Sequence, residues 1–254
     1  MKSVYGPVAS WRLGRSLGID PVCSERKICS FDCTYCQLGS GSKIHERKNF
    51  ISMKKLKEDL KAIRNAEADV ITFSGTGEPT LAKNLEAMID YVRSISDLPL
   101  AILTNSSFLS SEATRKILNK MDIVVAKLDA PNESLFWKIN RPHGSIRFEN
   151  YLEGIRKFRE GYAGKLALQI MFIDANKARA GDIAEIATGL EPDEVQLNTP
   201  LRPCKVKPLG KERLESIKDI FSDFENVLSV YDSEKPKVEP LDMEEVRKRK
   251  RPEP

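Results

Sequence analysis

The sequence predicts an α/β fold in which parallel strands alternate with helices. Two observations predict it: short apolar runs rich in Val, Ile and Leu recur along the chain, and amphipathic stretches of helical period lie between them. Such alternation is typical of a parallel sheet covered by helices. Six strand–helix units are visible, fewer than the eight of a closed barrel. The pattern therefore fits a partial (β/α)6 barrel or an open doubly wound sheet, both of which place their chemistry at the carboxyl ends of the strands.

The predicted elements follow one another in chain order. The strands cover residues 16–22, 69–74, 98–104, 123–128, 165–173 and 194–198. The helices cover residues 53–64, 81–95, 111–119, 147–160, 182–188 and 211–224. The first helix places Leu56, Leu60 and Ile63 on one face. Ser110 is a suitable N-cap for the third helix, and Gly161 is a stop signal after the fourth.

The composition favours a folded protein. The chain of 254 residues has 41% hydrophobic residues, and its 41 Lys and Arg nearly balance 37 Asp and Glu, which argues against a mostly disordered chain. No stretch approaches the ~20 apolar residues of a membrane span, and the first residues do not form a signal peptide. We therefore expect a cytoplasmic protein with one large domain over residues 1–230. A Pro- and charge-rich strap and a basic tail follow over residues 231–254.

The excess positive charge is confined to the C-terminus. Arg247, Lys248, Arg249, Lys250 and Arg251 form one basic run, and without it the charges of the chain nearly balance. The body of the protein is therefore not expected to have a general affinity for nucleic acid. We expect the basic run itself to be a solvated end, with contact to phosphates as the alternative.

Three cysteines are spaced closely enough to bind one inorganic cluster. Cys29, Cys33 and Cys36 form a C-x3-C-x2-C run in the long connection after the first predicted strand. Clustered thiols in an intracellular chain favour a metal site over disulfides. Either Cys23 joins them as the fourth ligand of a structural zinc ion, or the three thiolates bind three irons of a [4Fe–4S] cluster and leave the fourth iron open. The spacing differs from the paired C-x2-C knuckles of zinc sites and favours the cluster.

A glycine-rich loop follows the second predicted strand. The strand over residues 69–74 leads into the sequence GTGEP at residues 75–79. Two glycines at the carboxyl end of a strand let a ligand approach the backbone, and a proline suits the first turn of the helix that follows. Taken alone, the loop would be an ordinary turn with an exposed glutamate. Its position beside the cysteine loop favours a binding site.

These two motifs resemble those of the radical S-adenosylmethionine enzymes. Cys29, Cys33 and Cys36, with Tyr35 before the last cysteine, are similar to the signature of that superfamily. The sequence GTGEP resembles the glycine-rich motif of its second strand. The resemblance spans residues from about 5 to 225. A narrower resemblance, to predicted iron–sulfur oxidoreductases grouped with the wyosine-tRNA synthetases, lies in three phrases: YGPV at 5–8, RLGRSLGID at 12–20 and CQLG at 36–39.

The resemblance implies a partial (β/α)6 TIM-type barrel with the iron–sulfur cluster loop after the first strand. It implies an oxidoreductase in which a [4Fe–4S] cluster reductively cleaves S-adenosyl-L-methionine to a 5′-deoxyadenosyl radical, which abstracts hydrogen from a substrate. A tRNA base, a peptide and a small metabolite are the substrate classes that stay open. The resemblance also implies a low-potential electron donor of the flavodoxin or ferredoxin type. The alternative from another class is a non-catalytic zinc or iron–sulfur scaffold protein.

The resemblance and the strand ends together assign site residues. The three cysteines bind the cluster, Tyr35 lies beside the adenine, and the loop over residues 75–78 holds the methionine amino group. Polar residues at later strand ends are candidates for the ribose hydroxyls and the methionine carboxylate. Lys127 is one of them, because a lysine inside an apolar strand is costly unless it meets an anion. Cys204 is a candidate catalytic thiol that donates a hydrogen atom. The expected cofactor-binding residues are Tyr35, Gly75, Thr76, Gly77, Glu78, Thr104, Asn105, Lys127, Asp129, Gln169 and Asn198.

Overall fold

The computed structural model describes residues 1–61, 66–232 and 236–249, and its centre is one sheet of eight strands. The strands follow one another across the sheet in chain order. The first two pair antiparallel, and every later pair of neighbours is parallel. The strands are β1 Val4–Ser10, β2 Gly14–Ile19, β3 Val70–Phe73, β4 Leu100–Thr104, β5 Ile123–Lys127, β6 Lys165–Met171, β7 Glu194–Asn198 and β8 Val227–Ser229.

The helices are α1 Met53–Lys61, α2 Leu85–Arg93, α3 Glu112–Leu118, α4 Glu133–Ile139, α5 Phe148–Glu160, α6 Ala180–Thr188, α7 Lys211–Lys218 and α8 Met243–Lys248. They cover the outer face of the sheet, except for α8, which contacts β1. Ile89 and Val92 of α2 are buried in the same core as Ile71 and Phe73 of β3. Thr72, between those two strand residues, faces the inner side of the sheet. Because successive strand residues point to opposite faces, the outer face is apolar and the inner face partly polar.

The sheet curls into a half-barrel, which confirms the predicted partial barrel. All six predicted strands are present, as β2 to β7. Among the described residues no ladder joins β8 to β1, so the half-barrel is open along that side of the sheet. Strands β2 to β8 run in one direction, and their carboxyl ends therefore form a single rim.

Several elements differ from the prediction. The sequence does not indicate β1, because a Gly–Pro pair interrupts it and its register shifts between Tyr5 and Val8. The predicted elements also do not include β8, which has three residues, or α4, which has seven. The helix predicted over residues 53–64 is present as far as Lys61, and its last residues lie outside those described. The helix predicted from residue 81 begins at Leu85, after a 3₁₀ turn over Pro79–Leu81.

The C-terminal segment, residues 236–249, packs back onto the start of the chain. Its helix α8 contacts β1, and Leu241 N donates to the Gly6 carbonyl at 3.0 Å. The segment therefore lies along the side on which the half-barrel is open. In the described part of the chain, no helix combines the length and apolarity that a membrane crossing needs.

The prediction of a solvated basic run is wrong at Arg249. This side chain is fully buried, and its Nε lies 3.3 Å from Asp20 Oδ2. A buried guanidinium is costly unless it is paired, and the buried carboxylate supplies the partner. The two residues before it are exposed, and Lys250 and Arg251 lie outside the described residues.

Candidate active site

A cavity of about 970 Å³ lies along the inner face of the half-barrel. The cysteine loop and the glycine-rich loop line it at the carboxyl ends of the strands, while Ser16 and Thr72 line it from within β2 and β3. The C-terminal segment contributes Pro236, Val238 and Pro240. The site predicted at the carboxyl rim therefore coincides with this cavity.

The cysteine loop is held between the glycine-rich loop and the end of α4. Ile28 N donates to the Thr76 carbonyl and Glu78 N donates to the Ile28 carbonyl, both at 3.1 Å. The chain thus pairs with the glycine-rich loop immediately before Cys29. On the other side, Thr34 N donates to the last carbonyl of α4 at 2.9 Å. Two ordered elements therefore fix the backbone on both sides of the loop.

All three cysteines that were predicted to bind metal line the cavity. Asn105 Nδ2 donates to Cys29 Sγ at 3.4 Å, and Asn140 Nδ2 donates to Cys33 Sγ at 3.6 Å. Burial raises the pKa of Cys29 to about 12 and also raises the pKa of Cys33. These two thiols therefore keep their protons until a metal displaces them. Hydrogen bonds to the sulfurs are among the features that tune protein-bound iron–sulfur clusters.

The donor set fits a cluster that takes one thiolate per iron. Three thiols from one loop supply three ligands and leave a fourth position without a protein ligand. Within residues 1–61, 66–232 and 236–249, no three His, Cys, Asp or Glu side chains come close enough to hold one metal ion. Cys23, the fourth ligand of the zinc hypothesis, donates to the Met1 carbonyl at 3.5 Å and does not line the cavity. Burial raises the pKa of Cys23 to about 11, which is typical of a packed thiol.

A buried lysine lies beside the cysteine loop. Lys27 lines the cavity, and its Nζ donates to Asp32 Oδ1 at 2.9 Å. Burial lowers the pKa of Lys27, but Cys36 and Asp32 outweigh this effect and leave the pKa raised. Lys27 is not among the residues that the sequence motifs predict. A lysine two positions before the first cysteine of the motif is the signal that could have found it, since thiolates favour a nearby cation.

Both glycines of the glycine-rich loop are required by close packing. A Cβ at Gly77 would lie 1.6 Å from the Ile28 carbonyl oxygen, and a Cβ at Gly75 would lie 2.1 Å from Asp20 Cγ. Thr76 N and Oγ1 both donate to Asp20 Oδ2, at 3.0 and 2.9 Å. Gly77 lines the cavity, whereas Gly75 and Thr76 do not. Of the predicted loop residues, these two serve to anchor the loop.

Glu78 lines the cavity, but its carboxylate is used within the protein. Its Oε1 accepts from Thr80 N at 3.1 Å, Thr80 Oγ1 at 2.6 Å and Thr104 Oγ1 at 2.7 Å, and its Oε2 accepts from Asn105 N at 2.7 Å. Burial raises the pKa of Glu78, while these hydrogen bonds lower it and offset the rise only in part. Glu78 thus joins the glycine-rich loop to the end of β4. It holds Thr104 and Asn105, two predicted cofactor-binding residues, at the cavity.

Lys127 and Asp129 lie at the end of β5 and meet Tyr35 of the cysteine loop. The Tyr35 hydroxyl donates to Asp129 Oδ2, and Asn140 Nδ2 donates to the same atom at 2.6 Å. Met171 N donates to Asp129 Oδ1 at 2.8 Å. Lys127 Nζ lies 3.6 Å from Asp129 Oδ2 and 5.2 Å from the centroid of the Tyr35 ring. Burial raises the pKa of Tyr35, which keeps its hydroxyl a donor. Tyr35 and Lys127 line the cavity, and Asp129 organises them from behind.

Two further predicted residues, Gln169 within β6 and Asn198 at the end of β7, line the cavity. Counting only described residues, the Gln169 side chain has no hydrogen-bond partner, and Asn198 uses Oδ1 alone, which accepts from Thr199 N at 2.9 Å. Cys204 is not brought to the cavity. Its Sγ donates to the Val206 carbonyl at 3.2 Å. This placement gives no support to a hydrogen-donating thiol at that position.

The cavity is also lined by residues that were not among the predicted site residues. Tyr5 and Trp11 line the cavity from β1 and the turn after it, and the Tyr5 hydroxyl lies 2.9 Å from Ser74 Oγ. Arg202, in the loop after β7, also lines it and donates from Nη1 to Gln37 Oε1 at 2.7 Å. Without β1 in the predicted fold, the first two could not be placed.

Known proteins resemble this chain both in sequence and in fold. Residues 27–185 match the model of the radical SAM superfamily. A UPF0026 protein of Synechocystis is 39% identical over 212 residues, which cover 83% of this chain and 78% of that protein. A UPF0026 protein of Methanocaldococcus jannaschii is 36% identical over 236 residues, covering 90% of this chain and 73% of that protein.

Two solved structures share the fold. SuiB of Streptococcus suis bound to S-adenosylmethionine has a TM-score of 0.65 at 14% identity, covering 85% of this chain and 50% of that chain. Native anSMEcpe with bound AdoMet has a TM-score of 0.63 at 18% identity, covering 85% of this chain and 64% of that chain. This chain therefore spans about half the length of SuiB. Three cysteines lie on one loop of the half-barrel, and the sequence matches the family model over more than half of its length. The chain therefore belongs to the radical SAM superfamily, has the UPF0026 proteins as relatives, and is a radical SAM enzyme.

Proposed function

We propose that the chain binds a [4Fe–4S] cluster on Cys29, Cys33 and Cys36, binds S-adenosyl-L-methionine beside it, and acts on a small polar substrate inside the half-barrel. One observation carries this proposal: three thiols of one loop line the same cavity as the glycine-rich loop. When bound and reduced by its electron donor, the cluster would supply one electron to S-adenosylmethionine; the C5′–S bond would break, methionine would leave, and a 5′-deoxyadenosyl radical would remain to abstract a hydrogen atom from the substrate.

The residues around the thiols stabilise the negative charge that three thiolates bring into a buried loop. Lys27 provides a buried cation, and its ion pair with Asp32 fixes the ammonium. The amides of Asn105 and Asn140 donate to the sulfurs of two cysteines. Donors aimed at sulfur favour the more negative, reduced state of a cluster. These groups therefore adjust the ease with which the site accepts an electron from a flavodoxin- or ferredoxin-type donor.

The groups that bind the methionine part of the cofactor follow from what the protein leaves available. Lys127 lines the cavity, and its ammonium, which lies 3.6 Å from Asp129 Oδ2, is the proposed partner of the carboxylate. The positively charged amino group needs acceptors, and all the hydrogen bonds of Glu78 described above come from within the protein. We therefore assign the amino group to backbone carbonyls of the glycine-rich loop. Glu78 acts by holding that loop against Thr104 and Asn105.

A small polar substrate fits the rest of the cavity. The whole cavity, which also has to hold S-adenosylmethionine, has a volume of about 970 Å³, at the upper end of the range for small-molecule sites. Pro236, Val238 and Pro240 line it on the side where the sheet is open, and so help to keep water from the reacting groups. Gln169 and the amide nitrogen of Asn198 offer hydrogen bonds that no described residue takes up. These two amides are the proposed contacts to the substrate.

Cleavage of S-adenosylmethionine tests the proposal. The protein is reconstituted anaerobically with iron and sulfide, reduced with dithionite and given S-adenosylmethionine, and 5′-deoxyadenosine is measured by chromatography. We expect release by the wild type and none above background with Cys29→Ala. Cys23→Ala is the matched control, since Cys23 does not line the cavity, and it should keep its iron and its activity. A protein that takes up zinc stoichiometrically and releases no 5′-deoxyadenosine would be a scaffold, and the proposal would fail.

A further inference from the structure

Arg249 is a buried arginine at the C-terminal end of α8, with no exposed surface. Its Nη1 donates to the Glu245 carbonyl at 2.8 Å, and its Nη2 donates to the Lys2 carbonyl at 2.7 Å. Its Nη1 also donates to Glu245 Oε2 at 3.2 Å, a second buried carboxylate. Its Nε forms an ion pair with Asp20 Oδ2 at 3.3 Å, and its guanidinium carbon lies 4.1 Å from the centroid of the Tyr5 ring. A buried charge is retained only where such partners offset its desolvation, so this side chain is held in one position.

Asp20 carries the contact from Arg249 to the glycine-rich loop. The same Oδ2 atom accepts from Thr76 N at 3.0 Å and from Thr76 Oγ1 at 2.9 Å. Its Oδ1 accepts from Val22 N at 3.1 Å and from Cys23 N at 2.8 Å, which fixes the chain that leads from β2 toward the cysteine loop. Asp20 itself is 1% exposed. One buried carboxylate thus contacts the C-terminal segment, the glycine-rich loop and the chain that leads to the cysteine loop.

A second contact runs through Tyr5. The ring that lies under Arg249 lines the cavity, and its hydroxyl lies 2.9 Å from Ser74 Oγ, the residue before the glycine-rich loop. The C-terminal segment also lines the cavity directly, through Pro236, Val238 and Val246 among others. The segment and the glycine-rich loop therefore both line the same cavity.

We propose that Arg249 is a positioning residue for cofactor binding, in which its ion pair with Asp20 fixes the glycine-rich loop only while the C-terminal segment is docked. The inference rests on the proposed function, which supplies the identity of the cofactor. Binding of S-adenosylmethionine and docking of residues 236–249 then stabilise each other, because linkage between two sites is reciprocal. Removing Arg249 leaves the Asp20 carboxylate without its cation and loosens the loop.

The test compares Arg249→Gln with the wild type as reconstituted holoprotein. Coupling between two sites changes affinity by roughly 5- to 150-fold. We expect S-adenosylmethionine to bind about tenfold more weakly to Arg249→Gln in equilibrium dialysis. Iron content and cluster absorbance should stay unchanged, since the cysteines are untouched. Arg249→Lys keeps a cation near Asp20 and should recover part of the affinity. Arg247→Gln, an exposed arginine on the same helix, is the matched control and should bind like the wild type.

Hydrogen exchange without cofactor separates this inference from the proposed function. Peptides that cover residues 70–80 should exchange faster in Arg249→Gln than in the wild type, because the Thr76 amide donates to Asp20. Unchanged exchange in those peptides, or unchanged affinity for S-adenosylmethionine despite faster exchange, overturns the inference. Loss of iron in Arg249→Gln, with no recovery of affinity in Arg249→Lys, would also overturn it, because a loss of stability alone would then explain the effect of Arg249. If the wild type releases no 5′-deoxyadenosine but Arg249→Gln still exchanges faster, the proposed function fails, whereas the contact between Arg249 and the glycine-rich loop is supported.

Discussion

Replacing Gly77 with alanine would force the glycine-rich loop and the cysteine loop apart. The new Cβ would lie 1.6 Å from the Ile28 carbonyl oxygen and 2.7 Å from its carbonyl carbon, and real Cβ contacts essentially never fall below 3.0 Å. Both neighbouring atoms belong to the backbone, so no side-chain rotation relieves the clash. The two hydrogen bonds of this bridge, each 3.1 Å long, must therefore lengthen or break.

The cost follows from those two effects. A buried backbone hydrogen bond contributes about 1 kcal/mol, and overpacking in a filled region costs about 1–3 kcal/mol. The free energy of unfolding should therefore fall by about 3–5 kcal/mol. With a urea dependence of roughly 3 kcal/mol per molar, the midpoint falls by roughly 1–1.7 M. Since Ile28 directly precedes Cys29, the variant should also bind less iron per chain.

Urea unfolding of reconstituted protein, with iron measured per chain, checks this prediction. Gly181→Ala is the control, because a Cβ there meets no atom within 4 Å and the residue lies in α6. Alanine in a helix should raise the free energy of unfolding by about 0.5–1 kcal/mol. A Gly77→Ala variant that unfolds at the wild-type midpoint and keeps its full iron would refute the claim that the bridge between the two loops needs glycine.

Three further predictions follow from single contacts. Cys204→Ser should leave the yield of 5′-deoxyadenosine within about twofold of wild type, since Cys204 does not line the cavity; a loss of the product would place the thiol in the chemistry. Asn140→Ala removes an amide that donates to Cys33 Sγ and should lower the cluster's reduction potential in a redox titration followed by electron paramagnetic resonance, and an unchanged potential would contradict the assigned role. Burial raises the pKa of Asp59, but hydrogen bonds from Ser3 N and Oγ, both at 2.6 Å, outweigh it and hold the pKa below its ordinary value of 3.8. The stabilisation that the Asp59 carboxylate contributes is therefore present above pH 3.8 and lost as the pH falls through the lowered pKa. In unfolding experiments Asp59→Asn should cost about 1 kcal/mol at pH 7 and progressively less below pH 3.8. A difference in stability that grows toward acid pH would contradict this prediction.

The sequence predicted best what depends on neighbours along the chain. Six strands were located because apolar runs and turn residues are local signals, and the cysteine and glycine-rich loops were found because their spacing is local too. It failed where a contact joins distant parts of the chain. Nothing in a basic run near the C-terminus indicates that Arg249 is buried against Asp20, since the charge pattern of a solvated tail and of a docked one are alike. Nor does β1 have a pattern that shows it, because its Gly–Pro pair interrupts the strand signal.

The same distinction applies to the roles of the polar residues at the rim. A glutamate in a glycine-rich loop and an aspartate after a strand are natural candidates for ligand contacts, yet Glu78 accepts four hydrogen bonds from the protein and Asp129 is filled by Tyr35, Asn140 and Met171. Buried carboxylates must be satisfied before any ligand arrives, because an unpaired one would destabilise the fold. Neutral amides can face a cavity unpaired at lower cost, and the amides of Gln169 on β6 and Asn198 on β7 are in this position. We expect a substrate that contacts these two amides to be bound there by hydrogen bonds, and the acidic residues to affect it through the loops that they hold in place.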